Sequence, residues 1–254
     1  MTSWADLARE LELWAASGRD ATWWWRDDDA VADSPALRQL LDLGRNGLGL
    51  AVIPGSPTES LTESLAPALG DHPHVFVLQH GFSHRNQAEP GAKKNEFPDS
   101  RDPTAIDAEL ATGRRRLRDA FGNRFLSVLT PPWNRIGDRT LPRLKQLGFR
   151  GLSRYQSRKA PEFHGLQQIN THVDVIDWQG GRGFLGEAAC LGLFLGHLQA
   201  RRTGHADRDE PTGLLTHHIV HDATTWRFLQ KLRDFLAEQP AARLLDPAAA
   251  FCLE

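Results

Sequence analysis

The chain has 254 residues, 40% of them hydrophobic and 24% charged, with 30 Lys and Arg set against 32 Asp and Glu. This is an ordinary globular composition with enough apolar mass for a core, and the length suits a single α/β domain spanning 1–254. A net charge of −2 gives no electrostatic reason to expect nucleic acid or an anionic membrane as a partner.

The first eighteen residues are polar and acidic, with Trp4, Leu7, Leu11 and Trp14 at helical spacing, and lack the basic start and apolar run of a signal peptide. Short β-like runs follow at 21–26, 49–54, 74–79, 124–129, 150–154, 172–177, 213–217 and 242–246. Helical-period segments separate them, among them "SPALRQLLDLGRNG", "PTAIDAELATGRRRLRDAFG", "DRTLPRLKQLG" and "TTWRFLQKLRDFLAEQ". About eight strand–helix units predict a parallel sheet wound into a (β/α) barrel. The basic run at 114–118 reads as a solvated helix face. The most apolar stretch, 184–198, carries Glu187 and His197 and is too short to span a bilayer. Cys190 and Cys252 are far apart with apolar neighbours, which predicts buried thiols, a reducing compartment and a cytoplasmic location. One segment breaks the rhythm: 85–103 is long, polar and rich in Pro and Gly, which predicts a mobile loop bordering a substrate pocket.

The residues able to do chemistry cluster just after strands. Asp27, Asp28 and Asp29 follow "TWWWR", "HGFSH" follows "HVFVLQ", "TPPWN" follows "RFLSVL", "DW" closes "HVDVIDW", and "HH" follows "GLLT". In a parallel barrel all these strand ends open onto one face. His80 and His84, four apart, fall on one side of a helical turn, a spacing common in zinc proteins. A carboxylate from another strand end would complete a divalent site with open positions. Side chains alternate along a strand, so neighbouring aspartates face different ways, one toward a metal and the next toward a water as base. Trp23 and Trp25 are expected on one face of their strand and Trp24 on the other, all as core.

Together these stretches resemble the polysaccharide deacetylases of the NodB-homology type, carbohydrate esterase family 4. The likeness rests on "RDDD", "HGFSH", "TPPW", "DVIDW" and "LTH" in that order across 26–218. It implies a distorted (β/α) barrel of about seven or eight parallel strands and a metal-dependent deacetylase, with zinc as the usual ion. The resemblance makes Asp29, His80 and His84 the metal ligands and Asp28 the base, with Asp27 and Asp28 as the alternative register. His217 or its neighbour His218 would be the general acid, with Asp177, or failing that Asp174, as its carboxylate partner. Pro132, Trp133 and Asn134 would line the substrate groove, and the Trp133 backbone N–H would face a developing oxyanion. One departure stands out. The family's third-motif arginine, which pairs with the catalytic aspartate, falls at Thr130, leaving Arg26 or Arg135 to replace it.

The expected reaction is removal of an N-acetyl or similar acyl group from an amino sugar or sugar conjugate, with a small-molecule or oligosaccharide partner. Two other readings compete. Two histidines and a carboxylate also describe a non-haem iron oxygenase, although those sites usually sit on β-sandwich folds. The missing arginine would also suit a barrel that binds carbohydrate without turning it over.

Overall fold

A computed structural model of the chain describes residues 1–253 apart from Thr58. The strands are β1 (Ala21–Ala30), β2 (Leu48–Val52), β3 (Val75–His80), β4 (Phe125–Thr130), β5 (Gly151–Leu152), β6 (Glu162–Phe163), β7 (Leu166–Gln168), β8 (Val173–Asp174), β9 (Thr212–Thr216) and β10 (Ala242–Leu244). All eight expected strand windows contain one. The sheet runs β6-β7-β5-β4-β3-β2-β1-β9-β8, with β10 beside the first residues of β1. Every pair is parallel except the hairpin of β6 and β7. That hairpin turns on His164 and Gly165, both at positive φ, the backbone a two-residue turn requires.

The sheet curls back on itself through one irregular stretch. From β7 onward the chain first follows β5, with Ile169 N donating to Leu152 O at 3.2 Å and Thr171 N to Arg154 O at 3.0 Å. It then crosses to β9, where His172 N donates to Gly213 O at 2.7 Å. The result is a distorted barrel of mostly parallel strands.

Helices α1 (Trp4–Ala16), α2 (Pro35–Leu43), α3 (Ala66–Ala68), α4 (Pro103–Phe121), α5 (Glu187–Thr203), α6 (Ala223–Ala237) and α7 (Pro247–Ala250) accompany the strands. Helix α1 starts where a capping box forces it to: Ser3 Oγ accepts from Asp6 N, and Asp6 Oδ2 accepts from Ser3 N. The apolar spacing of Leu7, Leu11 and Trp14 puts all three in the core. No helix among the described residues is long and apolar enough to cross a membrane. Segment 138–148, expected as a helix, forms only a short 3-10 turn at Leu141–Arg143. Pro142 lies in the middle of that window and has no N–H to continue a helical ladder.

Strand alternation sorts the three tryptophans. Trp23 and Trp25 pack with the helices outside the sheet, while Trp24 faces inward with Leu78, Val128 and Phe251. Phe251, delivered by α7, sits edge-on to Trp24 at 5.5 Å and fills the barrel interior. A Cβ at Gly151 would lie 2.8 Å from its ring, so the strand opposite is cut back to make room. Phe251→Ala should therefore cost about 3–5 kcal/mol of stability without abolishing the fold. Urea titration would read this as a lower midpoint at unchanged slope.

Candidate metal centre and active site

The inward parity set by Trp24 continues to Arg26 and Asp28 on the same strand. Both are buried and pair closely, with Arg26 Nη2 donating to Asp28 Oδ2 at 2.9 Å and Arg26 Nε in ion-pair contact 2.8 Å from Asp28 Oδ1, outside hydrogen-bond geometry. The remaining guanidinium donors reach Ser153 Oγ at 2.7 Å and Asn134 Oδ1 at 2.9 Å. Arg26 is thus the basic partner of Asp28. Arg135 is not: it is exposed and donates to Lys94 O.

At Asp29 the alternation breaks. Its φ of 72° is left-handed, a conformation aspartate tolerates better than most residues. This swings the carboxylate to the histidines, placing Oδ1 3.1 Å from His80 Nε2 and 3.2 Å from His84 Nε2. His80 ends β3, so it too points inward. His84 does not follow it on a helical turn, as its spacing suggested; it closes an irregular turn with φ of 55°. Eight non-glycine residues among those described have positive φ, and four of them are Asp29, His84, Trp133 and Asn134. Backbone strain of this kind persists where the surroundings over-determine it.

The donor set fits a divalent cation. His80 Nδ1 lies 2.9 Å from Thr130 O and 3.2 Å from Thr130 Oγ1, whose own proton goes to Gln79 O at 3.0 Å. Both Thr130 oxygens are therefore acceptors, His80 carries its proton on Nδ1, and Nε2 presents a lone pair. That lone pair faces Asp29 Oδ1, a buried oxygen that accepts no hydrogen bond. Acceptors converging this closely call for positive charge between them. Burial would raise the Asp29 carboxyl, but His80, then His217 and His84, hold it well below the usual carboxylate range. Burial likewise opposes charge on His80, and Asp28 and Asp29 outweigh it to raise that group. His84 moves down, through burial and the charge of His80.

Asp27 points to the other side of β1. Its Oδ2 accepts from Thr216 Oγ1 at 2.6 Å and from His218 N at 2.9 Å, and its Oδ1 meets His218 Nδ1 at 2.5 Å. Burial pushes Asp27 upward, and His218 with the hydroxyl of Thr216 outweighs it downward. The structure thus separates the two neighbouring histidines. His218 is paired with Asp27 behind the site, while His217 acts electrostatically on both Asp29 and Asp174 and packs against exposed Trp178 at 4.7 Å.

Asp177 is not brought to His217. Its Oδ1 accepts from Gln179 N and Gly180 N, so the side chain is spent on its own turn. Asp174, three residues earlier, feels the charge of His217 without forming an ion pair with it. It accepts from Ile176 N and Trp178 Nε1, and burial first, then Asp28, raises its carboxyl against the pull of His217. The TPPWN segment folds over the other rim. Trp133 packs on the His84 ring at 4.6 Å with Lys94 Nζ 5.8 Å above it, and Pro132 abuts Gly81, where a Cβ would lie 2.5 Å from its Cδ. A surface concavity of about 1410 Å³ lies elsewhere, between Trp4, Asp42 and Phe235 on the helices.

A second group of similar make-up lies at the opposite end of β9: His172, His197 and Glu210, all buried. It does not suit a cation. Gly213 N donates to His172 Nδ1 at 2.9 Å, so the ring proton sits on Nε2, which faces Glu210 Oε2 at 3.4 Å. The two imidazoles stack at 3.4 Å, and Arg201 and Arg158 add positive charge beside them. Burial, helped by His172 and Arg201, takes His197 down to about 2.

No protein-family model matches the chain, and no curated protein sequence does. Solved structures do. The fold is similar to a peptidoglycan N-acetylglucosamine deacetylase (TM-score 0.57, 13% identity, 92% of this chain and 90% of that one). It is also similar to a family 4 acetyl xylan esterase from Clostridium thermocellum in complex with a cobalt ion (TM-score 0.53, 13% identity, 91% and 90%). A third likeness is to a mutant of a carbohydrate esterase family 4 pseudoenzyme (TM-score 0.56, 14% identity, 91% and 67%). The chain shares the fold of the family 4 carbohydrate esterases.

Two outcomes test this geometry. Arg26→Met should destabilise the protein by about 3–5 kcal/mol, because it strands a buried carboxylate, and adding Asp28→Asn should restore part of that loss. His197 is neutral when folded and titrates near its usual 6.5 when unfolded, so its contribution is present above pH 6.5 and lost as pH falls toward 2. Replacing it with Leu should flatten the fall in stability between pH 6 and 4.5 by roughly 1.4 kcal/mol per pH unit, measured by chemical denaturation.

Proposed function

We propose that the chain is a divalent-metal-dependent amide hydrolase that removes an acetyl or related acyl group from an amino sugar or sugar conjugate. The observation that carries this reading is the convergence of Asp29 Oδ1 on His80 Nε2 and His84 Nε2, with the His80 proton held on the far nitrogen. Asp29, His80 and His84 would hold the ion, zinc by preference for a carboxylate and two imidazoles. A bound ion would supply a Lewis acid that lowers the pKa of water and polarises the amide carbonyl.

The protein's own residues do the rest. Asp28, held in one orientation by Arg26, accepts the proton of the attacking water. The backbone N–H of Trp133, carried on the strained turn against His84, donates to the developing oxyanion. His217 protonates the departing amine, with Asp174 as the nearby carboxylate that acts on it electrostatically. Water and the amide are consumed, and a carboxylic acid and a free amine are released. Trp133 and Trp178, one on each side, offer flat faces for a sugar ring.

The proposed setting is cytoplasmic: Cys190 is buried with its thiol pushed up to about 12 by burial, Cys252 is exposed where its apolar neighbours suggested burial, and neither is in a disulfide. The oxygenase reading loses its footing, since the site sits on a parallel barrel. A barrel that binds without catalysis was favoured by the missing arginine, and Arg26 supplies a counter-ion for Asp28.

Purified protein should carry about one equivalent of zinc or a similar ion and release acetate from a panel of N-acetylated sugars and conjugates. His80→Ala with His84→Ala should abolish the metal, and full retention would overturn the assignment. Asp28→Asn should keep the metal and lose roughly 10²–10⁴-fold in kcat. The rate should follow a bell in pH. Asp174→Asn should shift its basic limb to lower pH, whereas Asp177→Asn should leave both limbs in place.

A further inference from the structure

Of the metal-facing residues, His84 has the least local support. His80 is fixed by β3 and Thr130, and Asp29 by β1, whereas His84 closes an irregular turn whose backbone-to-backbone hydrogen bonds lie at its start, Gly81 N donating to Thr130 O at 3.2 Å and Gly55 N to Phe82 O at 2.6 Å. That turn begins at Gly81, φ 55°, and ends at His84, φ 55°. Its two middle peptide groups, Phe82 N and Ser83 N, point the same way and form a cradle for an anion. Glu96 fills it. Its Oε2 accepts from Phe82 N at 3.1 Å, and its Oε1 accepts from Ser83 N at 2.6 Å and from Ser83 Oγ at 2.8 Å.

Glu96 is fully buried and makes no ion pair among the described residues. The three donors from the turn are what compensate its burial. A Cβ at Gly81 would lie 2.0 Å from Glu96 Oε2, so the turn is shaped around this carboxylate. The loop behind it is braced in its turn. Phe97 is buried with Leu129 and Ile136, and Arg101 donates to Glu96 O while forking onto Glu109 of α4. Within the 85–103 loop, expected to be mobile at the pocket edge, Glu96 and Phe97 are buried while residues 91–94 are exposed.

We propose that Glu96 is a positioning residue for the metal centre: it fixes the Gly81–His84 turn so that His84 Nε2 meets Asp29. This rests on the metal-hydrolase reading above, and it assigns a role to a residue that the family resemblance leaves without one. Outer supports of this kind typically contribute roughly 10–100-fold to metal affinity.

The test is zinc affinity of metal-stripped protein, measured by competition with a chromophoric chelator, together with the visible spectrum of the cobalt(II)-loaded protein. Glu96→Gln keeps an oxygen for Ser83 but turns an amide NH2 toward Phe82 N, so affinity should fall by roughly 10–100-fold and the cobalt bands should shift. Glu96→Ala should do at least as much; if it fails to fold, Glu96→Gln decides. Leu232→Ala, buried on remote α6, should lower Tm and leave zinc affinity and the spectrum alone, which separates positioning from general destabilisation. A folded Glu96→Gln with wild-type affinity and spectrum overturns the proposal while leaving the metal reading intact. Wild-type protein that takes up no zinc or cobalt overturns both.

Discussion

A guanidinium buried in the barrel is the constraint on which the site hangs. Arg26 has no solvent exposure, so its donors must be satisfied by protein, and losing any acceptor would strand a charge. Its partners come from three places: Asp28 on its own strand, Ser153 just after β5, and Asn134 on the left-handed turn after β4. One side chain therefore ties together the base, the far wall of the barrel and the segment that presents Trp133. The strain at Trp133 and Asn134 is held by this tie. The proposed chemistry inherits its geometry from a packing problem solved inside the fold.

The strands were legible in sequence because each central one is buried on both faces and reads as a short apolar run, as "GLAVIP" and "HVFVLQ" do. The β6–β7 hairpin was not, since two or three residues leave no periodicity to read. The site was legible in its residue types, and partly in its partners. Arg26 and Asp28 lie two apart on a strand, so their shared face follows from the pleat. Ser153 and Asn134 could not be foreseen, because they arrive from other elements. Asp177 and Asp174 end the same apolar run, and only the folded turn shows that Asp177 is already occupied. Glu96 left the faintest trace. Its partners are two peptide N–H groups and a serine hydroxyl, and its polar, Pro- and Gly-rich surroundings read as a mobile loop at the pocket edge.

Three consecutive aspartates, puzzling as a local charge cluster, divide into three unrelated environments. Asp28 faces inward to Arg26, Asp27 faces outward to Thr216 and His218, and Asp29 leaves the pleat altogether. Like charges adjacent in sequence are separated in space by alternation and then by one left-handed residue. Asp27 has a consequence beyond its own burial. Its oxygens hold Thr216 on one side of His217 and His218 on the other, so the peptide that presents His217 is clamped at both ends. The resemblance gives this position a role only in its alternative register, yet here it fixes the strand end from which the proposed acid projects.

Among the described residues, two groups of two histidines and one carboxylate occur in the barrel, and their composition does not distinguish them. The second hydrogen bond of each histidine does. At His80 the outer nitrogen gives its proton to Thr130, and the inner nitrogen is left as a lone pair for a cation. At His172 the outer nitrogen receives a proton from Gly213, and the inner nitrogen must carry one, aimed at Glu210. A metal at the second group would have to displace that proton beside two guanidinium groups, whereas at the first nothing needs to leave. Each outer partner is a backbone group whose position depends on strand register: Thr130 lies opposite His80 across β3 and β4, and Gly213 sits in β9 beside the start of β8. Sheet pairing, settled by the burial of apolar faces, thereby decides which imidazole can become a ligand.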